Sequence, residues 1–151
     1  MAECVQISAT DLKGIVKFAK DEKIDLTVVA PDDPLAMGLV DMLEENGLRA
    51  FGPRKSAAEI ESSKLFAKKL MKKYGIPTAQ YQSFEEYDEA VNYLNQVGYP
   101  VVIKADGLAL GKGVIIASNK DEADKAVRDM LLDNRFGEAG KRILIEEFLI
   151  G

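Results

Sequence analysis

The sequence predicts an α/β chain in two parts, a partial doubly wound domain followed by a smaller α+β lobe. Two observations predict this. Short apolar runs alternate with helical periodicity as far as Phe51, and later a glycine-rich segment, Asp106 to Gly113, is bracketed by two further apolar runs. The chain has 151 residues, 47% of them hydrophobic and 30% charged, which suits one compact domain or two small ones.

Each element can be argued in order. Val5 and Ile7 read as a short strand and Thr10 as a helix cap, after which Leu12, Ile15, Phe18 and Ala19 recur at helical spacing to about Lys23. Leu26 to Ala30 is almost wholly apolar, as a parallel strand buried on both faces would be. Asp33 then reads as a cap with Pro34 at the first helical position, and one helix carries Ala36, Leu39, Val40 and Leu43 inward until Asn46-Gly47. Arg49 to Phe51 is a second strand, stopped by Gly52-Pro53. No glycine-rich turn of the kind that opens a complete doubly wound domain precedes Val5, so the domain reads as partial.

Ser56 starts a short helix, and Ser63 to Tyr74 forms another with Phe66, Ala67, Leu70, Met71 and Tyr74 on its apolar side. Lys64 lies at the edge of that stripe, with Lys68, Lys69, Lys72 and Lys73 further round. Gly75-Ile76-Pro77 ends the helix. Ser83 to Glu86 fits a capping box before a helix carrying Tyr87, Val91 and Leu94, with Phe84 extending the stripe. Val101 to Ala105 and Val114 to Ala117 are strands, Asn119 to Glu122 caps a helix with Ala123, Ala126, Val127 and Met130 inward, and Ile143 to Leu149 is a final strand. The expected organisation is a partial domain over 1–53, a helical connector over 54–78 and a small lobe over 79–151.

Composition excludes several classes. No apolar stretch approaches the roughly 20 residues a bilayer span needs. Cys4 is the single cysteine, so no intrachain disulfide forms, and no secretory leader pattern opens the sequence; the expected compartment is the reduced cytoplasm. There is no His, hence no imidazole base or ligand. With 20 basic and 25 acidic residues the net charge is −5, which argues against general nucleic-acid binding. Arg54 to Lys73 is the exception, with seven basic residues against two acidic ones. That island is either a solvated helix face or a site for a polyphosphate.

Gly107, Gly111, Lys112 and Gly113 invite comparison with a Walker A loop, but only three residues separate the first two glycines and Gly113 stands where Ser or Thr would bind magnesium. The segment also joins strand to strand, where a Walker loop opens a helix. It reads instead as a hairpin flap, either a plain flexible turn or a lid whose backbone N–H groups approach phosphate oxygens. Lys112 would add charge at its tip. Lys104, in an otherwise apolar strand, needs an anionic partner, and a polyphosphate would serve.

The ordered motifs Gly52-Pro53, Ser63-Lys64-x-Phe66-Ala67-Lys68, Tyr74-Gly75-Ile76-Pro77-Thr78-Ala79, Val102-Ile103-Lys104-Ala105-Asp106-Gly107-Leu108-Ala109-x-Gly111-Lys112-Gly113-Val114 and Ile145-Glu146-Glu147-Phe148-Leu149 resemble those of the phosphoribosylamine–glycine ligases. These are ATP-grasp enzymes of purine biosynthesis, and the likeness covers essentially the whole chain. It implies a Rossmann-like, pre-ATP-grasp domain followed by the small ATP-grasp lobe. The implied reaction joins glycine to 5-phosphoribosylamine through a glycyl phosphate, with ATP and Mg²⁺ (or Mn²⁺).

Carried over by motif, Lys64 and Lys104 face the ATP phosphates and converge across a cleft, and the segment 107–113 is the flap closing over them. Glu146, Glu147, Phe148 and Leu149 resemble the adenine-binding hinge, with main-chain groups of Glu147 and Leu149 on the base. Lys64 would also suit a structural lysine snorkelling at the stripe edge. Pro31, Asp32, Asp33 and Pro34 resemble the turn near phosphoribosylamine, although Ala30 stands where the family has Gly and Asp32 where it has Glu. The resemblance further implies a truncated form, with an opening strand before Met1 and the metal ligands beyond Gly151. Such a segment is expected not to turn over, to bind nucleotide at most, and to form a homo-oligomer through an exposed sheet edge, with no nucleic-acid or membrane partner.

Overall fold

A computed structural model describes residues 2–109 and 112–150, and the chain divides into two units, Met1–Glu61 and Ser62–Gly151. The division falls inside the segment 54–78.

The first unit begins with α1 (Leu12–Asp21), which buries Leu12, Val16 and Ala19. Asp11 caps it in place of Thr10, accepting from the Gly14 amide at 2.9 Å, while the Thr10 hydroxyl pairs with Ser8 at 2.9 Å. Val5 and Ile7 form no strand; the Ile7 N–H closes back on the Val5 carbonyl at 2.9 Å, a local turn that leaves no row of groups to pair.

β1 (Thr27–Val28) lies parallel to β2 (Ala50–Phe51), with Thr27 opposite Ala50 and Val28 opposite Phe51. The run from Leu26 to Ala30 is therefore shorter as a strand than expected, and it is not buried on both faces: Val29 is buried, but Val28 is 61% exposed. Among the described residues β1 has β2 as its one sheet neighbour, so its other edge is unpaired there. The single helix expected between the strands is two, α2 (Asp32–Met37) and α3 (Leu39–Glu45). Gly38 separates them at φ +93°, a left-handed conformation that glycine enters without Cβ strain. Leu39, Val40 and Leu43 nevertheless pack with α1 and Val29 as the pattern required. α4 (Lys55–Ser62) follows, and its first amide is taken by Asp41 Oδ2 at 2.7 Å.

The second unit opens with α5 (Lys64–Tyr74), capped by Ser63 and closed by Gly75 at φ +66°. Its sheet has the order β3-β6-β4-β5 and is antiparallel throughout: β3 (Tyr81–Phe84), β4 (Val101–Ala105), β5 (Val114–Ala117) and β6 (Ile143–Glu147). β3 replaces the capping box read at Ser83 to Glu86. Extended pairing against β6 takes Ser83 and Phe84, and Glu86 flanks the helix without a side-chain cap bond. α6 (Tyr87–Leu94) and α7 (Lys120–Leu131) cover one face of the sheet. Between helices and sheet lies a core of Ala90, Leu94, Ile103, Ala105, Ala117, Ala123, Val127, Met130, Ile143 and Ile145. Because side chains alternate along a strand, the opposite face carries Val102, Lys104, Val114, Ile116, Leu144 and Glu146.

Candidate functional site

The open face of the sheet is built from a mixed set of side chains. Val114 and Ile116 are 46% and 56% exposed, and Lys104 rises between them and β6. Its ammonium meets Glu146 Oε2 at 2.9 Å, so the partner that a lysine in an apolar strand demands is supplied from within the chain. A cation beside half-exposed aliphatic side chains suits a ligand with one flat apolar part and one anionic part.

Glu146 is buried. It sits in β6 with its side chain 4% exposed, and the same oxygen, Oε2, forms a second ion pair, with the Lys68 ammonium at 3.0 Å. Lys68 is itself 9% exposed and donates to Thr78 Oγ1 at 2.8 Å and to the Ala79 carbonyl at 3.1 Å, with its charge 5.6 Å from the Tyr81 ring centre. Two hydrogen bonds and one ion pair thus surround its ammonium. Sequence reasoning put Lys68 on the solvated side of α5 and expected Phe66, Ala67, Leu70, Met71 and Tyr74 to be the covered face. Phe66, Ala67, Leu70 and Met71 are half-buried and Tyr74 is 65% exposed; the deeply covered positions are Leu65 and Lys68. The signal that could have found Lys68 was a buried carboxylate in a predicted strand, which needs a cation from elsewhere.

Lys64, half-buried at the start of α5, donates to the Gly107 carbonyl at 2.9 Å. Asp106 ties the same corner together. Its carboxylate accepts from the Leu65 amide at 2.8 Å and from Ser63 Oγ at 3.1 Å, and Arg142 approaches it at 3.4 Å. A carboxylate at a helix N-terminus satisfies amides that have no partner in the helix. Arg142 is chiefly held by Glu85 at 2.7 Å, and that hydrogen bond raises the guanidinium above its ordinary value. The sequence pattern places Asp106 in the glycine motif and gives no sign of this corner.

The hairpin between β4 and β5 is pinned at its base, where the Ala105 amide donates to the Gly113 carbonyl at 2.8 Å. Gly107 faces Ala139, and Gly113 is buried against Ala109 and Ala105. Lys112 is exposed, and Gly111 and Leu110 lie outside the described residues. At the end of β6, the Glu147 amide donates to the Gln80 carbonyl at 3.0 Å while its side chain accepts from the Gln80 amide at 2.8 Å. Glu147 can give its N–H to a ligand only by breaking that bond. Phe148 and Leu149 continue beyond, 38% and 62% exposed. A cavity of about 270 Å³ touches Gln80, Tyr99, Val101 and Glu146 to Phe148.

Pro31 to Pro34 belong to the first unit. Pro31 flanks α2, Asp32 and Asp33 are exposed in its first turn, and Pro34 is buried. Asp33 therefore does not cap the helix, which has no side-chain cap bond, and Pro34 is its third residue. Among the described residues no group of three or more His, Cys, Asp or Glu could hold a metal ion.

A four-stranded antiparallel sheet with two helices on one face and a glycine-rich hairpin beside a lysine is the architecture of the first, small lobe of an ATP-grasp fold. Solved structures of that class agree: D-alanine–D-alanine ligase from Bacillus anthracis matches at TM-score 0.74 and 24% identity, covering 99% of this chain and 47% of that one. Biotin carboxylase from Campylobacter jejuni matches at TM-score 0.79 and 19% identity, covering 93% and 32%. The model of the phosphoribosylglycinamide synthetase N domain matches residues 1–61, and that of the ATP-grasp (A) domain of the same enzyme matches residues 62–151. The chain belongs to the phosphoribosylglycinamide synthetase family.

Phosphoribosylamine–glycine ligase of Haemophilus influenzae is 56% identical over 99% of this chain, and that of Halalkalibacterium halodurans is 54% identical over all of it. The crystal structure of phosphoribosylamine–glycine ligase from Thermotoga maritima matches at TM-score 0.68 and 35% identity, covering 82% of this chain and 30% of that one. The chain spans 35% of the length of the two curated relatives.

Proposed function

We propose that this chain forms the nucleotide-gripping part of a phosphoribosylamine–glycine ligase, a cytoplasmic enzyme of purine biosynthesis. In that reaction the glycine carboxylate takes the γ-phosphoryl group of ATP, giving glycyl phosphate and ADP. The nitrogen of 5-phosphoribosylamine then attacks the glycyl carbonyl, phosphate leaves, and a proton is lost from nitrogen. The observation that carries the reading is Lys104, an ammonium on an open, partly apolar sheet face beside a glycine-rich hairpin.

In this reading Lys104 and Lys64 neutralise phosphate oxygens, and Gly107, Gly111, Lys112 and Gly113 close over them with backbone N–H groups. Lys64 reaches a phosphate when it exchanges the Gly107 carbonyl for it. Glu146 to Leu149 receive the adenine, and Pro31 to Pro34 lie toward phosphoribosylamine. Magnesium or manganese would supply further charge neutralisation when bound to the phosphates, although the described residues do not form a cage for it. The chain by itself is accordingly taken to hold nucleotide without completing ligation. Titration calorimetry with ATP tests the nucleotide site, with Lys104→Ala as control. Binding abolished by that substitution supports the reading, and undetectable heat at millimolar ATP overturns it.

A second copy of the chain pairing along β1 is favoured by the exposure of Val28 and Phe51, 61% and 69%, beside a two-stranded sheet. Sedimentation showing a clean monomer would count against it. No helix among the described residues is long and apolar enough to cross a membrane.

A further inference from the structure

We propose that Lys68 is a positioning residue for the nucleotide site, acting through Glu146 to keep the charge of Lys104 available to an anionic ligand; this rests on the reading of Lys104 given above. Three charged groups meet at one oxygen. Lys104 and Lys68 lie 2.9 and 3.0 Å from Glu146 Oε2, and Oε1 is buried with no hydrogen-bond partner among the described residues. As one carboxylate and two ammonium groups, the cluster carries a formal net charge of +1.

The two lysines are not equivalent. Lys68 is 9% exposed and is fixed independently of Glu146 by Thr78 Oγ1 and the Ala79 carbonyl, so it cannot swing toward a ligand without stranding a buried charge. Lys104 is 26% exposed, and among the described residues its ammonium pairs with Glu146. Lys68 therefore acts as the permanent counter-ion of Glu146, and Lys104 is the member whose charge remains uncompensated at the open face. Without Lys68 the buried carboxylate and Lys104 would form a neutral, closed pair. An incoming phosphate would then have to compete with Glu146 for its cation.

Three variants of the chain, Lys68→Met, Lys68→Arg and Lys68→Met/Glu146→Gln, are titrated with inorganic tripolyphosphate and with ATP. Acylation of Lys104 by acetic anhydride, read by mass spectrometry, reports its availability without any nucleotide. Lys68→Met is expected to weaken tripolyphosphate affinity on the order of tenfold, the scale of one altered charge interaction at a partly exposed site, and to slow acylation. Lys68→Arg keeps the charge and is expected to bind within about threefold of wild type. The double variant removes both buried charges and is expected to recover tripolyphosphate affinity and acylation, a rescue that a merely structural role for Lys68 does not produce; it is not read with ATP, because Glu146 also belongs to the adenine-receiving segment.

Unchanged tripolyphosphate affinity in Lys68→Met, or a double variant that folds and remains tenfold weak for tripolyphosphate, overturns the proposal. Should Lys68→Met not fold, the double variant decides in the same way. If wild type itself binds neither ATP nor tripolyphosphate, the nucleotide reading fails. The acylation series then still decides whether Lys68 frees Lys104 from Glu146.

Discussion

The Lys64 ammonium donates to the Gly107 carbonyl oxygen at 2.9 Å, so the first residue of α5 holds the backbone at the point where the glycine-rich segment leaves the sheet. The same junction is closed from the other side by Asp106, whose carboxylate receives the Leu65 amide and the Ser63 hydroxyl. Helix start and loop start are thus one structural corner, and substitutions there should act on both.

Asp106→Ala removes the acceptor of the Leu65 amide and the partner of Arg142. It is expected to cost about 1–3 kcal/mol, the range for a lost helix cap and a part-buried charged acceptor. Urea unfolding measures it. A change below the error of the midpoint would show that water replaces the carboxylate at no cost.

Gly107→Ala would place a Cβ 2.9 Å from both the Cα and the Cβ of Ala139, and backbone cannot move aside as a flexible side-chain tip can. A loss of about 1–3 kcal/mol is expected. Gly98→Ala is the matched control, since a Cβ there meets nothing within 4 Å. Its stability should stay within about 0.5 kcal/mol of wild type.

Tyr87 donates to Asp124 Oδ1 at 2.5 Å, and that bond holds its phenol above the ordinary value of 10.0. A raised value means that the folded state favours the protonated phenol. Its contribution is full below the unfolded value and is lost as pH rises through the folded one. Urea midpoints of wild type and Tyr87→Phe, followed from about pH 8 to 11, should therefore converge at the alkaline end. Among the five tyrosines, Tyr87 should ionise late in a phenolate absorbance titration. A difference that widens with pH would reverse the sign argued here.

Ile103→Ala and Ile116→Ser test the two faces of the sheet. Ile103 is fully buried, and its truncation is expected to cost about 2–5 kcal/mol in thermal or urea unfolding. Ile116 is 56% exposed on the side that bears Lys104; its replacement should change stability by no more than about 0.5 kcal/mol while weakening ATP binding in calorimetry. Equal effects on stability would mean that the open face is packed in solution.

Where local chemistry determines an element, the sequence was readable. Asn119 caps α7 by accepting from the Glu122 amide, and Ala123, Ala126, Val127 and Met130 turn inward as their spacing requires. The β4–β5 hairpin follows from two apolar runs around a glycine-rich turn. Ser83-Phe84-Glu85-Glu86 misled because the same residues suit a capping box and an edge strand, and pairing with β6 decided between them. Gly38 divides a helix that the apolar spacing presents as continuous.

In the candidate site, Lys104 and the glycines were legible as a motif. Lys68 was not, because its burial depends on Glu146, a residue far along the chain that no helical wheel contains. The role of Asp106 was hidden for the same reason, since the amide it caps belongs to Leu65 in another element.

With α6 and α7 both on one side, the sheet leaves the β5 end of its other surface, at Val114 and Ile116, free of interior packing, while Leu144 and Glu146 remain buried there. Residues such as Ile103 and Ile145 are constrained by packing, whereas the exposed Val114 and Ile116 are not. A lineage can therefore revise the outward positions singly, without re-solving the interior each time. That freedom agrees with the persistence of the architecture in D-alanine–D-alanine ligase and biotin carboxylase at 24% and 19% identity.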